Sequence, residues 1–334
     1  MVTITLPVTD CSCIAQVRRT AVECARALGF GETDVGRVAI VVTELAGNLV
    51  KHARGGEMVI AEFEDANGPG VEVLALDRGP GITDVATCLR DGYSTAGSPG
   101  QGLGAVVRLS QVFDIVSSAE LGTAILSRLQ PNRPEPAAWP DGIVFGAVSV
   151  PKPGETVCGD AWCVQRIGDG HSIFVADGLG HGPAAAAAAT EAVRLFRRNA
   201  GEPPCTILER VHAGMRHTRG AAVAVARLEP RQGRMTFCGV GNIAGSLLIA
   251  GQVRRTVSQN GTAGLSAQRI QGFDYPLRTP FVFVMHTDGL ASGCSPQRCP
   301  GAGAAHPTLL AAVLYRDFAR GRDDATVVVA SAGE

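Results

Sequence analysis

Residues 77–82 read DRGPGI, and residues 97–105 read GSPGQGLGA. How these two stretches are read decides the fold of the first half of the chain. One acid, Asp77, stands before two glycines and a proline, and a second glycine cluster follows soon after. Glycine allows tight turns and close backbone approach, so the pair suits either a bound phosphate or two ordinary turns. The second cluster runs on as GQGLGAVVRLSQVF and opens a helix directly after its glycines. A helix N-terminus presents unpaired N–H groups and a partial positive charge, which makes it an anion site. It is not the dinucleotide fingerprint, because no strand directly precedes it, and no Walker-type lysine motif is present.

Working outward, Ile14, Val17, Ala21, Cys24 and Leu28 recur at helical spacing and Gly29 follows them. A second helix is expected from about Asp34 to His52. The segments EMVIAEFE, VEVLALD, VFDIVSS and TAILSRL read as strands. The expected order is helix, helix, two strands, a long glycine-rich connection, a helix and two strands. On the second helix Glu44 and Asn48 are four apart and share a face, with Lys51 and His52 one turn further on. This polar strip is either a solvent face or a site, because Val41, Val42, Leu45 and Leu49 surround it. Asp77 ends a strand, where an acid can accept a hydrogen bond from an exocyclic amine such as that of adenine. Gly79 and Gly81 beside it allow a ligand close to the backbone.

Taken together, these elements resemble the GHKL ATP-binding fold of histidine kinases and anti-sigma serine kinases. ELAGNLVKHA matches the N box, DRGPGI and GQGLGA match the two glycine boxes, and Gly122–Thr123 matches the late adenine-side threonine. The resemblance covers nearly all of residues 1–130. Within that superfamily the segment is most similar to the RsbT-type serine kinases, over LGFGETDVGRVAIVVTELAGNL and DGYSTAGSPGQGLGAVVRLSQVFDI. The resemblance implies ATP with Mg²⁺ as cofactor. Asn48 would hold the metal on the phosphates, and Glu44 would be the candidate general base. Asp77 would bind the adenine amine, while Gly100, Gly102 and Gly104 would cradle phosphates. His52, Gly79, Gly81 and Thr123 would complete the nucleotide site, and a lid is expected around residues 92–104.

The segment QPNRPEPAAWPDG, residues 130–142, holds four prolines in thirteen residues. Proline breaks helices and sheet ladders, so a linker is expected at 131–141, between domains at 1–130 and 142–334. The run AAAAAAT at 184–190 looks low in complexity, but alanine is the best helix former and the run continues into a helix. Strands are expected at IVFGAVSV, AAVAVARL, MTFCGV, AGSLLIA and VFVMHTD.

In this second half the acids stand in recognisable settings. Asp160 lies in CGDAW, Asp177 in IFVADGLGHG, Asp288 in FVFVMHTDGL, and Asp323 and Asp324 in GRDDATVVVA. Each is a turn residue or cap on one reading. On the other, acids at strand ends converge on one edge of a sheet. Bare carboxylates repel one another, and hard cations such as Mg²⁺ or Mn²⁺ remove that cost. A pair of such ions activates water and clamps a phosphate for in-line attack. The motifs GDAW, VADGLGHG, GVGNIAG, HTDGL and RDDATVV resemble, in order, those of the SpoIIE-type 2C protein phosphatases, with RsbX-like members the nearest in kind.

That resemblance implies an α+β chain, in which a GHKL α/β sandwich precedes a β-sandwich flanked by helices. It implies two Mn²⁺ or Mg²⁺ ions bridged by Asp160 and Asp177, with the Gly178 carbonyl, Asp288 and Asp324 completing the set. Asp323 is the less favoured ligand, His181 has no assigned role, and Gly241 and Asn242 hold a turn.

Composition narrows the class. The chain has 334 residues, 46% of them hydrophobic, with 42 glycines and a formal net charge of −1. Such a chain builds packed cores and offers no electrostatic case for nucleic acid or an acidic membrane. No apolar run reaches a membrane span, and the N-terminus lacks the layout of a signal peptide. The ten cysteines read as reduced thiols without zinc spacing, and a cytoplasmic location is expected. The expected function is a bifunctional regulator of a STAS-domain protein, adding phosphate to its serine or threonine and removing it. The alternative is a phosphatase whose first domain only senses nucleotide or docks a partner or sigma factor.

Overall fold

The computed structural model describes residues 2–89, 102–136, 141–299, 301 and 304–333. The chain divides into two compact units, Met1–Ala138 and Trp139–Glu334.

The first unit starts with a strand, β1 (Thr3–Val8), which the residue pattern did not announce. Pro7 explains both facts: it cannot donate to a ladder, and β1 is accordingly an edge strand paired only with β2 (Gly56–Asp65). Helix α1 (Cys11–Ala27) is capped by Asp10, whose side chain accepts from the Ser12 amide at 2.8 Å. Helix α2 (Glu32–His52) carries acids in its first turn and Lys51 and His52 in its last, complementing the helix dipole at both ends. It is rich in β-branched residues, so burial of Val35, Val38, Val41, Val42, Leu45 and Leu49 must stabilise it more than propensity does.

The remaining elements are β3 (Gly68–Leu76), the short α3 (Val85–Cys88), α4 (Gly102–Leu109), β4 (Val112–Ser118) and β5 (Gly122–Leu129). The strands form an antiparallel sheet in the order β1-β2-β3-β5-β4. Helices α1, α2 and α4 cover one face, around Val17, Ala21, Val38, Leu45, Ile60, Val73 and Val106. Because β5 lies between β3 and β4, the residue after β3 meets the start of β5. The Asp77 amide donates to the Thr123 carbonyl at 2.9 Å, and these two residues bound the first candidate site.

The second unit is built on two antiparallel sheets. Its strands are β6 (Ile143–Val150), β7 (Asp160–Ile167), β8 (Gly170–Gly178), β9 (Ala221–Glu229), β10 (Arg234–Val240), β11 (Ala244–Ile249), β12 (Gln252–Arg255), β13 (Gly272–Pro276), β14 (Phe281–His286) and β15 (Ala325–Ala332). Their orders are β13-β10-β9-β8-β7 and β12-β11-β14-β15-β6. Side chains alternate faces along a strand. On β8, Ile173 and Val175 point into the core between the sheets with Phe237, Phe283, Met285 and Val328. Phe174 and Ala176 point outward to α5 (Pro183–Asn199) and α6 (Pro204–Gly214). Phe174 stacks on Phe196 with centroids 4.8 Å apart. The alanine run is thus a helix, started by a proline in its first turn. Helix α7 (Pro307–Phe318) packs on β6 and β15. The result is the expected β-sandwich with helices outside. No described helix is long and apolar enough to cross a membrane.

Candidate functional site

In the second unit the acids gather at one end of the sandwich. Asp160 opens β7 and Asp177 lies near the end of β8, and the register sets them directly opposite each other. Asp288 follows β14 by two residues, and Asp324 immediately precedes β15. The first pair therefore comes from one sheet and the second from the other. Thr287 ties them: its Oγ1 donates to Asp160 Oδ2 at 2.8 Å, and the Thr326 amide donates to Thr287 Oγ1 at 3.0 Å. Asp324 is held by the Lys152 amide, which donates to Oδ1 at 2.8 Å. Asn242 Nδ2 donates to Asp288 Oδ2 at 2.7 Å.

Glycines let these segments close. A Cβ on Gly159 would lie 2.6 Å from Asp324 Oδ2, and one on Gly289 would lie 1.9 Å from the Asp324 carbonyl oxygen. Gly178 is buried, and its amide donates to the Gly159 carbonyl at 3.1 Å. Asp323 is exposed, and its Oδ1 accepts from the Asp324 amide. His181 is also exposed and bonds Glu155 at 2.7 Å through Nδ1.

The electrostatics ask for a cation. Burial, with smaller repulsion from Asp324 and Asp323, pushes Asp160 up to about 7 against the hydrogen bonds that Thr287 and Thr326 supply. Burial followed by repulsion from Asp160 and Asp288 pushes Asp177 up to about 9. Asp324 is also raised, first by burial. Asp160 Oδ1 and Asp324 Oδ2 are buried without a hydrogen-bond partner among the described residues. Such oxygens are costly unless a charge meets them. Among the described residues no three His, Cys, Asp or Glu side chains already close into a cage for an ion. The residues fit hard divalent cations that keep several waters, with carboxylates supplying only part of the shell.

In the first unit Glu44, Asn48 and His52 fall on one face of α2; Glu44 and Asn48 are half-buried and His52 is exposed. The turn after β3 comes back to the C-terminal end of this helix. A Cβ on Gly79 would lie 2.7 Å from Ala53 Cα, and one on Gly56 would lie 2.9 Å from Leu49 and 3.3 Å from Asp77 Cβ. Asp77 is buried, and its Oδ1 accepts from the amides of Gly79 at 2.8 Å and Thr123 at 3.0 Å. The carboxylate is thereby fixed in orientation. Thr123 Oγ1 and Ser117 Oγ are 2.8 Å apart, and Ser117 Oγ also accepts from the Ile82 amide.

Gly81 adopts φ +70, and a Cβ there would lie 2.4 Å from the Ser118 carbonyl. Gly79 and Gly81 are thus required by the protein's own packing, independently of any ligand. Gly102 begins α4 and Gly104 is buried within it, while Gly100 and most of the expected lid lie outside the described residues.

Two contacts were not legible as site features: Thr287 and Asn242 each hold a carboxylate, although Asn242 was read only as a turn residue. Both stand inside the motifs HTDGL and GVGNIAG, which is the signal that points to them.

Residues 168–332 match the family model of stage II sporulation protein E, and residues 8–128 match the histidine kinase-like ATPase domain. The serine/threonine-protein kinase RsbT of Bacillus subtilis (strain 168) is 38% identical over 112 residues, which is 34% of this chain and 84% of that protein. The phosphoserine phosphatase RsbX of the same strain is 28% identical over 140 residues, 42% of this chain and 70% of that protein. A solved structure from work on the bacterial stressosome in secondary-messenger control superposes with a TM-score of 0.54 at 28% identity, covering 56% of this chain and 98% of that one. A crystal structure of RsbX in complex with magnesium gives 0.51 at 23% identity, covering 57% and 96%, and shows the same fold.

Proposed function

Since the chain belongs to the RsbT kinase family through its first unit and carries a SpoIIE-type 2C phosphatase domain in its second, we propose that it sets the phosphorylation state of one partner protein from both directions. The first unit transfers a phosphoryl group from ATP to a serine or threonine of a STAS-domain protein. The second unit hydrolyses it. The observation that carries this reading is the pairing of Asp160 with Asp177 beside Asp288 and Asp324, in a chain whose first unit also carries Glu44 and Asn48 on one face of α2 and brings the turn of Asp77 back to the end of that helix. Relatives with opposed activities, RsbT and RsbX, support the two directions, and the stressosome structure supports a STAS-type partner.

In the first unit Asp77 is set to recognise the adenine amine, because its orientation is held by two backbone amides. Thr123 and the Ser117 hydroxyl lie beside it. Asn48 is the side chain that would hold Mg²⁺ on the phosphates, and Gly102 and Gly104 at the start of α4 would cradle the phosphates. Glu44, one turn before Asn48, takes the proton of the attacking hydroxyl. Phosphoryl transfer depends chiefly on such positioning and charge neutralisation.

In the second unit Asp160, Asp177, the Gly178 carbonyl, Asp288 and Asp324 are the groups that would hold two Mg²⁺ or Mn²⁺ ions. Bound there, the ions would supply an activated water and charge neutralisation for the phosphate. Thr287, Thr326 and Asn242 orient the carboxylates.

The test is a two-way assay on a STAS-domain protein encoded nearby. Labelled phosphate is followed from ATP onto the partner and then off it, for wild type, Asn48→Ala and Asp288→Asn. Phosphate that accumulates with Asp288→Asn and never appears with Asn48→Ala is the expected result. Release from pre-phosphorylated partner without any transfer from ATP would leave a phosphatase with a nucleotide-sensing or docking domain. No release at all would overturn the phosphatase assignment.

A further inference from the structure

The turn that follows Asp177 is stitched to the residues leading into β9. The Leu179 amide donates to the Gly220 carbonyl at 3.0 Å, and the register sets Gly178 opposite Ala221 and Asp177 opposite Ala222. Arg219 thus stands two residues before the strand partner of Gly178. Its guanidinium lies over Gly180: a Cβ there would come within 3.4 Å of Arg219 Nη1, and Gly180 itself adopts φ +88. Arg219 is exposed, and among the described residues it makes no hydrogen bond or ion pair.

Two other cations of this region already face partners of their own. His217 lies in the field of Glu191, and Arg227 is buried against the carbonyls of Ala200 and Glu202. Two exposed leucines lie beside Gly220. Leu179 is 52% exposed and Leu265 57%, and Leu265 Cγ lies 3.1 Å from where a Cβ on Gly220 would stand.

Charge and shape give this arrangement a use. Four carboxylates would balance two divalent cations and leave no surplus positive charge for a phosphate dianion. A guanidinium adds that charge and presents a planar fork of donors that matches phosphate oxygens. An arginine over the turn that follows Asp177, with no partner among the described residues, is poised for an anion that arrives with the substrate. Two exposed leucines beside it suit the chain on either side of a phosphorylated residue.

We propose that Arg219 is the phosphate-binding, substrate-selecting residue of the second unit, and that Leu179 and Leu265 seat an apolar side chain next to the phosphoserine or phosphothreonine of a protein substrate. The proposal rests on the phosphatase reading for its substrate, but the anion site itself has its own readout.

The full chain with Mg²⁺ is assayed on a phosphoserine peptide with leucine beside the phosphoserine, on the same peptide with aspartate there, and on p-nitrophenyl phosphate. Binding of inorganic phosphate is measured separately by calorimetry. Losing charge-assisted hydrogen bonds to a phosphate raises KM for the peptide about 10- to 100-fold in Arg219→Ala, weakens inorganic phosphate binding comparably, and changes kcat less. Arg219→Lys falls between wild type and Arg219→Ala. Arg216→Ala removes the same charge from the same turn and leaves both values as in wild type.

Unchanged KM and phosphate affinity in Arg219→Ala would overturn the assignment, as would an equal loss in Arg216→Ala. Phosphate binding that depends on Arg219 in a chain that hydrolyses nothing would support the anion site and sink the phosphatase reading. Leu179→Ser and Leu265→Ser raise KM for the leucine peptide only. An equal effect on p-nitrophenyl phosphate would overturn the apolar seat.

Discussion

Thr287 Oγ1 donates a 2.8 Å hydrogen bond to Asp160 Oδ2 and accepts one of 3.0 Å from the Thr326 amide. One hydroxyl thus holds a carboxylate of the first sheet on a backbone amide of the second. Thr287 is 1% exposed, so water cannot replace it. Thr287→Val keeps the shape, strands the Thr326 amide and removes a donor from Asp160. It should cost about 1–3 kcal/mol of stability, read by denaturant unfolding, and weaken Mg²⁺ binding. Thr287→Ser should retain most of both. Wild-type metal affinity in Thr287→Val would show that Asp160 needs no such orientation.

The acidic cluster fixes how stability and metal binding respond to pH. Asp160 at about 7 and Asp177 at about 9 both sit above the ordinary carboxylate value of 3.8. The metal-free folded state therefore holds protons that the unfolded chain releases. The contribution of these two groups to stability is fully present below 3.8 and is lost progressively as pH rises from there through about 7 for Asp160 and about 9 for Asp177. Ligands must lose those protons to bind a cation, so affinity rises over the same window. The Mg²⁺-induced increase in Tm should be small at pH 6 and clearly larger at pH 8.5. A shift that is flat across this range would mean that the ion binds elsewhere.

Legibility followed locality. DRGPGI, ELAGNLVKHA and VADGLGHG announce their chemistry within a few residues, so Asp77, Asn48 and Asp177 could be named before any fold was known. What could not be read was non-local. The face-to-face register of Asp160 with Asp177 depends on how β7 pairs with β8. The bond from Thr287 to Asp160 spans 127 positions, and that from Asn242 to Asp288 spans 46. Strand β1 stayed hidden because Pro7 argues against a strand, and only its edge position admits one. Gly79 and Gly81 could be flagged but not explained, because their close neighbours, Ala53 and Ser118, come from other elements.

Asp77 separates architecture from recognition. Its Oδ1 accepts from the Gly79 and Thr123 amides, and an asparagine oxygen can accept both. Asp77→Asn should therefore leave Tm close to wild type. The amide cannot offer the same charged acceptor to an adenine amine, so ATP affinity should fall at least about tenfold. Asp77→Ala loses both functions and should also cost about 1–3 kcal/mol of stability. Titration with a fluorescent ATP analogue, beside thermal unfolding, checks the pair. Full nucleotide affinity in Asp77→Asn would remove Asp77 from the adenine site.

Asp177 faces the opposite trade. Its carboxyl is desolvated and repelled by Asp160 and Asp288, so in the metal-free protein it is a burden that grows as pH rises. Asp177→Asn keeps the shape and deletes the charge. At pH 8 without metal the variant should melt higher than wild type, by roughly 2–4 °C or more on the scale expected for a unit of this size. The same change removes a carboxylate from between the two sheets' acids. Added Mg²⁺ should then raise Tm far less than in wild type, and hydrolysis of phosphoserine peptide should be lost. The two readouts move in opposite directions, which a merely damaging substitution does not produce. A variant that is less stable without metal would show that Asp177 is held by contacts other than the carboxylate cluster. One that still hydrolyses the peptide would show that Asp177 is not a ligand.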